Sequence, residues 1–372
     1  MALDSTEKCS GLPLGEERIK LNRELRKFKQ SAFSIDKNSS ARSSTPWKNP
    51  LEGGKTYSVY GNCNLSIYSG ASCNGNCPFC VEKLRPLSRG CLLEDQKENI
   101  DDTSYFRALD AALRAVKPLN PSVSITGGEP SLDPRLPRMI SLLKHHGFRK
   151  RTMTTNGSGL VKNHFLESLI SGGFSHLNLS RAHHDDELNQ EFMQLDPFIP
   201  NKDLYQIIAR LRDTRLRPRL SCVLLNEGIN DLNGIIDYLE WAASIGVDNV
   251  VFRQLMDFDR STYRSDPIVD YTMKNQVLIS KILKQIFDDS GDCIPRFDFT
   301  KQVVGYYYYV EVYQYQSRIE KKIDVVFEEA NLTFIEIDKK RNEEVSRVHE
   351  LIFHPTGTLC STWQPWDGIL MR

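Results

Sequence analysis

Between residues 56 and 255 the chain alternates short β-type runs with longer stretches in which apolar residues recur every three or four positions. That alternation limits the fold more than any other feature. Successive parallel strands need a crossover of a dozen or more residues, and an amphipathic helix supplies it while burying one face on the sheet. The runs expected as strands are residues 56–62, 122–126, 151–155, 176–180, 219–225 and 249–254; helices are expected near 103–116, 134–146, 162–171, 202–212 and 232–245. Six such units predict an α/β fold, a partial (β/α)6 TIM-like barrel, whose working loops follow the C-terminal ends of the strands.

Outside this region the pattern changes. Residues 1–50 are rich in Lys, Arg and Ser, with one amphipathic helix near 16–29, and read as a partly ordered N-terminal arm. Residues 51–290 are expected to form the barrel, including a further helix near 269–288. Residues 291–372 carry the runs FDFTKQVVGYYYYVEVYQY, IDVVFEEANLTFIEI and VHELIFHPTGTLCSTW. These are expected as antiparallel strands of a β-rich C-terminal extension covering the barrel, with EEAN and PTGT as turns.

Lys plus Arg and Asp plus Glu both number 48, a net charge of +0. Such a chain lacks the electrostatic footprint for extended nucleic acid or an anionic membrane. No run approaches the ~18 apolar residues of a membrane span, and the first residues lack the apolar stretch of a signal peptide. A cytoplasmic protein is expected.

Nine cysteines are an odd count for a disulfide framework, and three of them fall within SCNGNCPFC, as Cys73, Cys77 and Cys80. Clustering of this kind argues for metal binding. Thiolates in a C-x3-C-x2-C array can converge on an iron–sulfur cube while leaving one iron without a protein ligand, free to take a second molecule. The alternative is a zinc-stabilised binding protein, with Cys63 or Cys91 as the fourth ligand. One unit later stands ITGGEP, in which Gly127 and Gly128 allow close approach to a ligand and Glu129 offers an acceptor.

The cysteine array, with Phe79 before its last cysteine, and the Gly-Gly-Glu-Pro turn one unit downstream resemble the radical S-adenosylmethionine (SAM) superfamily. The resemblance implies one [4Fe-4S] cluster on Cys73, Cys77 and Cys80, with SAM chelating the open iron. It implies that Gly127, Gly128 and Glu129 meet the amino group of the methionine moiety. It places Ser180, and after it Asn156, at the SAM carboxylate or ribose, with Arg181 on the same rim. The Asn156-Gly157 pair reads equally well as a simple turn. The run SCVLLNEGIND is similar to the segment under the adenine in the branch typified by the GTP cyclase of molybdenum-cofactor synthesis. There Val223 and Leu225 would pack on adenine and Asn230 would fix the turn, although core packing explains the apolar residues as well. Arg253, among apolar neighbours at the end of the sixth strand, is expected to grip a carboxylate or phosphate.

Substrate chemistry is less explicit. His183 and His184 are candidates for substrate contact or acid/base work, against a solvated helix start. Cys360 follows a turn and is a candidate hydrogen donor to a substrate radical; Cys222 reads as a core thiol. Tyr306 to Tyr309 should alternate faces on a strand. Only Cys293 and Cys360 lie beyond residue 255, so one cluster is expected. The resemblance implies reductive SAM cleavage to a 5′-deoxyadenosyl radical that takes hydrogen from a small molecule, a nucleotide, sugar or amino-acid derivative. An electron donor such as flavodoxin or ferredoxin is implied too. Modification of a peptide or protein is the alternative.

Overall fold

The computed structural model describes residues 44–70, 72–84, 100–162, 165–256, 267–287, 293–304, 308–330 and 347–372. Its strands are β1 (Ser44–Lys48), β2 (Thr56–Tyr60), β3 (Asn64–Tyr68), β4 (Ser122–Thr126), β5 (Arg151–Thr155), β6 (His176–Ser180), β7 (Arg217–Val223), β8 (Asn249–Arg253), β9 (Phe297–Val304), β10 (Tyr308–Gln316), β11 (Lys322–Ala330), β12 (Arg347–Val348), β13 (Leu351–Phe353), β14 (Leu359–Cys360) and β15 (Ile369–Met371). The fold is mixed α/β around parallel strands, and the chain divides into two compact units. The amphipathic helix expected near 16–29 and Cys91 lie outside the described residues.

One unit comprises Ser43–Ser180, Gln190–Pro218 and Asn342–Arg372. Its main sheet runs in the order β15, β14, β13, β3, β4, β5, β6, with β13, β3, β4, β5 and β6 mutually parallel. The helix Asp102–Val116 forms because Asp101 caps it, accepting from the Ser104 N–H at 3.0 Å, and because Tyr105, Leu109, Ala112, Leu113 and Val116 bury one stripe. The helix Leu136–His146 ends at Gly147, whose positive φ lets its N–H reach the Leu143 and Lys144 carbonyls.

The two faces of this sheet differ in chemistry. One carries Leu65, Ile67, Val123, Ile125, Met153 and Leu177, all with no solvent exposure, and truncating such a leucine costs about 2–5 kcal/mol. On the other face the register sets Ser66 beside Ser124, Ser124 beside Thr152, Thr152 beside His176 and Thr154 beside Asn178. Asn64 donates to both serines, at 3.1 and 2.9 Å, and Asn178 Nδ2 donates to Thr154 at 3.2 Å. Short neutral polar side chains thus dominate this face, with His176 on β6, the edge strand of the unit, whereas the opposite face is apolar.

The other unit comprises Arg181–Asn189 and the described residues of Arg219–Arg341. Its strands run β7, β8, β11, β10, β9, with β7, β8 and β11 parallel and the β11–β10–β9 meander antiparallel. The helix Leu232–Ser244 starts where Asp231 accepts from the Gly234 N–H at 2.8 Å.

Several expected elements take a different form. The run 56–62 is β2, which pairs antiparallel with β1 in a small three-stranded sheet. The strand entering the cysteine loop is β3, separated from β2 by a Gly61-Asn62 turn closed by Cys63 N–H to the Tyr60 carbonyl at 2.9 Å. The helix expected near 269–288 is two, Pro267–Asn275 and Ile279–Ile286, because Gln276 leaves the helix to bridge Leu225. Of the helix expected near 162–171, Ser158–Lys162 and Phe165–Ser171 are helical, and residues 163–164 lie outside the described residues. The C-terminal runs are strands, and β11 and β13 add in parallel to β8 and β3. The PTGT turn forms around Gly357 at φ 78°; of the expected EEAN turn, Glu328, Glu329 and Ala330 instead continue β11, and Asn331, Tyr306 and Tyr307 lie outside the described residues. Among the described residues no helix is long and apolar enough to cross a membrane.

Candidate functional site

The loops after β3 and β4 continue the pairing of their strands. Ser69 N–H donates to the Thr126 carbonyl at 2.8 Å, Gly128 N–H to Gly70 at 2.6 Å and Glu129 N–H to Ser72 at 2.8 Å. This backbone ladder ends one residue before Cys73. Gly127 makes the approach possible: its φ is +144°, and a Cβ there would lie 2.7 Å from Ser69 Oγ and 2.8 Å from the Gly70 carbonyl. The glycine is therefore required by the crossing of two loops.

Cys73 is exposed, and Cys77 and Cys80 are half-buried. Gly75 N–H donates to Cys73 Sγ at 3.2 Å, and Cys80 N–H donates to the Cys77 carbonyl at 3.2 Å. The outer side of the loop is pinned to residues 193–196: Asn76 N–H reaches Met193 and Gln194 carbonyls, and Asp196 N–H reaches the Asn74 carbonyl at 2.7 Å. Partial desolvation raises the Cys73 thiol above its usual value, the Gly75 N–H pulls it back, and charge on Glu129, Cys80 and Glu82 adds to the rise. Among the described residues no three His, Cys, Asp or Glu side chains already close into a metal site; the Cys77 thiol is turned to the Met193 carbonyl at 3.2 Å.

Glu129 is buried to 3% exposure and ties three loops together. Its Oε1 accepts from Ser131 N–H at 2.8 Å, from Ser131 Oγ at 2.5 Å and from the Thr155 hydroxyl; its Oε2 accepts from Asn156 N–H at 2.6 Å. Burial pushes the carboxyl up, and these donors pull it back toward the charged form. Most of its acceptor capacity is spent on the protein itself, so its first role is to hold the loops after β4 and β5. Gly159 completes the knot, donating to Ser131 Oγ at 2.8 Å; a Cβ on it would fall 1.8 Å from the Ser131 carbonyl oxygen. Ser131, Thr155 and Gly159 were not legible as site residues, since only tertiary structure brings them to Glu129.

Asn156 is both turn and contact. Its Oδ1 accepts from Ser158 N–H at 2.9 Å, and its Nδ2 donates to Asn74 Oδ1 at 2.9 Å, inside the C-x3-C segment. Thus one unit gathers, around the ends of β3, β4 and β5, the cysteine loop, the Gly127-Gly128-Glu129 turn and Asn156.

The profile of the radical SAM superfamily matches residues 67–241, a span that opens inside β3 and takes in all three loops. Over residues 67–241 this chain is similar to the radical SAM superfamily. Superfamily members are enzymes that use a [4Fe-4S] cluster and SAM. "Probable GTP 3′,8-cyclase" of Sulfolobus acidocaldarius is 26% identical over 188 residues, covering 50% of this chain and 54% of that protein. GTP 3′,8-cyclase of Chlorobaculum tepidum is 28% identical over 166 residues, 43% and 44% of the two chains. The chain spans about half the length of these two curated relatives. The crystal structure of Streptococcus suis SuiB bound to S-adenosylmethionine is similar with a TM-score of 0.48 and 15% identity, over 82% of this chain and 61% of that one.

The residues present fit a [4Fe-4S] cluster. Three thiols share one loop, a backbone N–H already donates to Cys73 Sγ, and Asn74 Nδ2 is buried beside them without a hydrogen-bond acceptor. The zinc alternative fits less well. Cys63 is buried at the N-terminal end of β3, whereas the cysteine loop leaves its C-terminal end; five residues of strand separate them by about 16 Å.

The remaining candidates stand in varied surroundings. Ser180 is half-buried at the end of β6. Cys360 has no exposure; its register with Ile352, and that of Ile352 with Ser66, puts it on the polar face of the sheet. Burial pushes its thiol up to about 11, with the Thr358 hydroxyl pulling the other way. In the other unit Arg181 is buried at 1% exposure, and its carbonyl accepts from Tyr238 Oη at 3.0 Å. His183 and His184 stack at 4.4 Å, and Asp185, not the histidines, caps the helix Asp186–Met193 through Glu187 and Leu188 N–H. Burial lowers both imidazole values, so both rings are neutral at pH 7. Leu225 is fully buried, as core packing requires, and Asn230 fixes its turn by donating to the Asn226 carbonyl at 2.8 Å. Arg253 grips a carboxylate within the chain, Glu328, at 2.9 Å. Cys222 is a core thiol, donating to the Ala182 carbonyl at 3.3 Å.

Proposed function

We propose that this chain cleaves SAM reductively at a [4Fe-4S] cluster held by Cys73, Cys77 and Cys80 and acts on a small polar molecule. The observation that carries the reading is the ladder joining the cysteine loop to Gly127-Gly128-Glu129, which brings a three-thiol loop and a glycine-rich turn to one sheet end. When bound, the cluster supplies the electron that splits SAM into methionine and a 5′-deoxyadenosyl radical able to take hydrogen from carbon.

The protein's own part is holding and orienting. Cys77 gives up its S–H bond to Met193 on becoming a ligand. Glu129 fixes the Ser131 and Asn156 backbones, leaving a lone pair of Oε2 for an ammonium group, and Ser180 offers its hydroxyl to the carboxylate or ribose. The neutral row of Ser66, Ser124, Thr152, Thr154 and Asn178 supports a substrate rich in hydroxyl or amide groups, a nucleoside, sugar or amino-acid derivative. The parallel strands belong, in this reading, to a partial six-unit barrel within residues 51–290. Flavodoxin or ferredoxin is the proposed donor of the electron, and the cytoplasm the proposed site of action.

Anaerobic purification followed by assay with SAM and dithionite tests the proposal. A brown protein carrying about four irons that releases 5′-deoxyadenosine, faster with small polar metabolites than with peptides, is the expected result. A colourless protein with stoichiometric zinc overturns it, and stimulation by peptides alone moves the substrate to the peptide class.

A further inference from the structure

The hydrogen-bond chain through Asn156 fixes which way the Asn74 amide faces. Ser158 N–H can only donate, and at 2.9 Å it meets Asn156 Oδ1. The other end of Asn156 is therefore its NH2 group, which donates at 2.9 Å to Asn74. The Asn74 atom receiving it must be Oδ1; the Ser158 hydroxyl, whose single hydrogen is shared with Asn156 Oδ1, lies 3.0 Å from the same oxygen. A flipped Asn74 would set two NH2 groups against each other.

The consequence is a committed donor. Asn74 Nδ2 is shielded from solvent and has no acceptor among the described residues. A buried donor left in that state costs about 1–3 kcal/mol, yet the Asn156 NH2 group holds the Asn74 amide in place. Its sequence neighbour is Cys73, whose sulfur already accepts the Gly75 N–H at 3.2 Å. Hydrogen bonds to cluster sulfurs stabilise the reduced, more negative cluster and raise its potential.

We propose that Asn74 Nδ2 donates a hydrogen bond to a sulfur of the cluster held by Cys73, Cys77 and Cys80, and so tunes its reduction potential. The assignment rests on the cluster reading given above. Asn74 is a positioning and tuning residue, acting on the cluster's electrostatics.

The test is an EPR-monitored redox titration of reconstituted protein without SAM, alongside iron and sulfide analysis. Asn74→Ala is expected to lower the midpoint enough that, at the wild-type midpoint, the reduced-to-oxidised ratio falls about tenfold, or about 59 mV for one electron. Asn74→Asp keeps the oxygen that serves Asn156 while replacing the donor with an anion, and lowers the midpoint further; it carries the comparison if the alanine variant loses its cluster. Ser158→Ala removes the hydroxyl beside Asn74 Oδ1 but leaves the Asn74 amide, and its midpoint stays at the wild-type value. Equal midpoints for wild type and the Asn74 variants overturn the proposal, as does an equal shift in Ser158→Ala, which marks simple loosening of the loop. A wild-type protein that assembles no cluster overturns the reading of the site, and the role of Asn74 with it.

Discussion

Asn156 donates its backbone N–H to Oε2 of Glu129 at 2.6 Å, and this bond joins the loop after β5 to the loop after β4. A buried carboxylate serves here because every group around it is a donor: two N–H groups and two hydroxyls.

Glu129→Gln should expose the asymmetry of that arrangement. With its carbonyl oxygen toward Ser131 and Thr155, the glutamine NH2 faces the Asn156 N–H, donor against donor. A loss of about 1–3 kcal/mol is expected, read as a lower urea midpoint at unchanged slope. SAM cleavage should fall with it.

Glycine positions separate close approach from backbone strain. Gly159→Ala pushes a methyl group to 1.8 Å from the Ser131 carbonyl, so destabilisation should reach about 3 kcal/mol or more. Gly147→Ala meets nothing within 4 Å and carries only the strain of φ +62°, about 1–2 kcal/mol. Thermal melts of the two variants should rank in that order.

Two cysteines near β3 should behave oppositely. Cys77→Ala is expected to abolish iron binding and deoxyadenosine formation while the circular dichroism spectrum stays native. Cys63→Ala should keep its iron and lose stability within about 0.5–3 kcal/mol, the effect of a core truncation. Loss of iron in Cys63→Ala would restore the four-thiolate zinc site.

The stacked pair His183 and His184 predicts the acid limb of stability. Burial lowers both folded-state values, so as pH falls the unfolded chain binds protons first. Stability is complete above the unfolded value of about 6.5 and declines below it. Urea midpoints should drop between pH 7.5 and 5.5, and His184→Phe should flatten the drop.

Cys360 should resist alkylation. With no exposure and a thiol pushed up to about 11, its reaction with iodoacetamide at pH 8 should be slower than that of a free thiol by on the order of a hundredfold. Peptide mapping before and after unfolding reads the difference.

Much of the site was legible because its signals are local. The cysteine spacing, the Gly-Gly-Glu-Pro turn and the period-2 runs that became β4, β5 and β6 need no knowledge of distant residues. Pairing partners are another matter. The run at 56–62 has the composition of a sheet strand, yet the Gly61-Asn62 turn sends it to β1 and hands the parallel position to β3. Arg253 shows the same limit: its type announced an anion partner, and only the register of β8 with β11 shows that Glu328 can serve. The Ser131, Thr155 and Gly159 knot was unreadable because it joins the turn after β4 to the loop after β5, which no spacing rule connects.

The pairing of β13 with β3 has a temporal meaning. Synthesis proceeds from the N-terminus, and early segments begin to fold while later ones are still unmade. The strand that carries the cysteine loop waits for one flank until residues 351–353 leave the ribosome. Until then Ser66 and Ile67 present an open edge on that side, and the thiols hang from a half-built sheet. Stalled or truncated chains lacking β13 leave that flank open and are expected to be poor acceptors of iron.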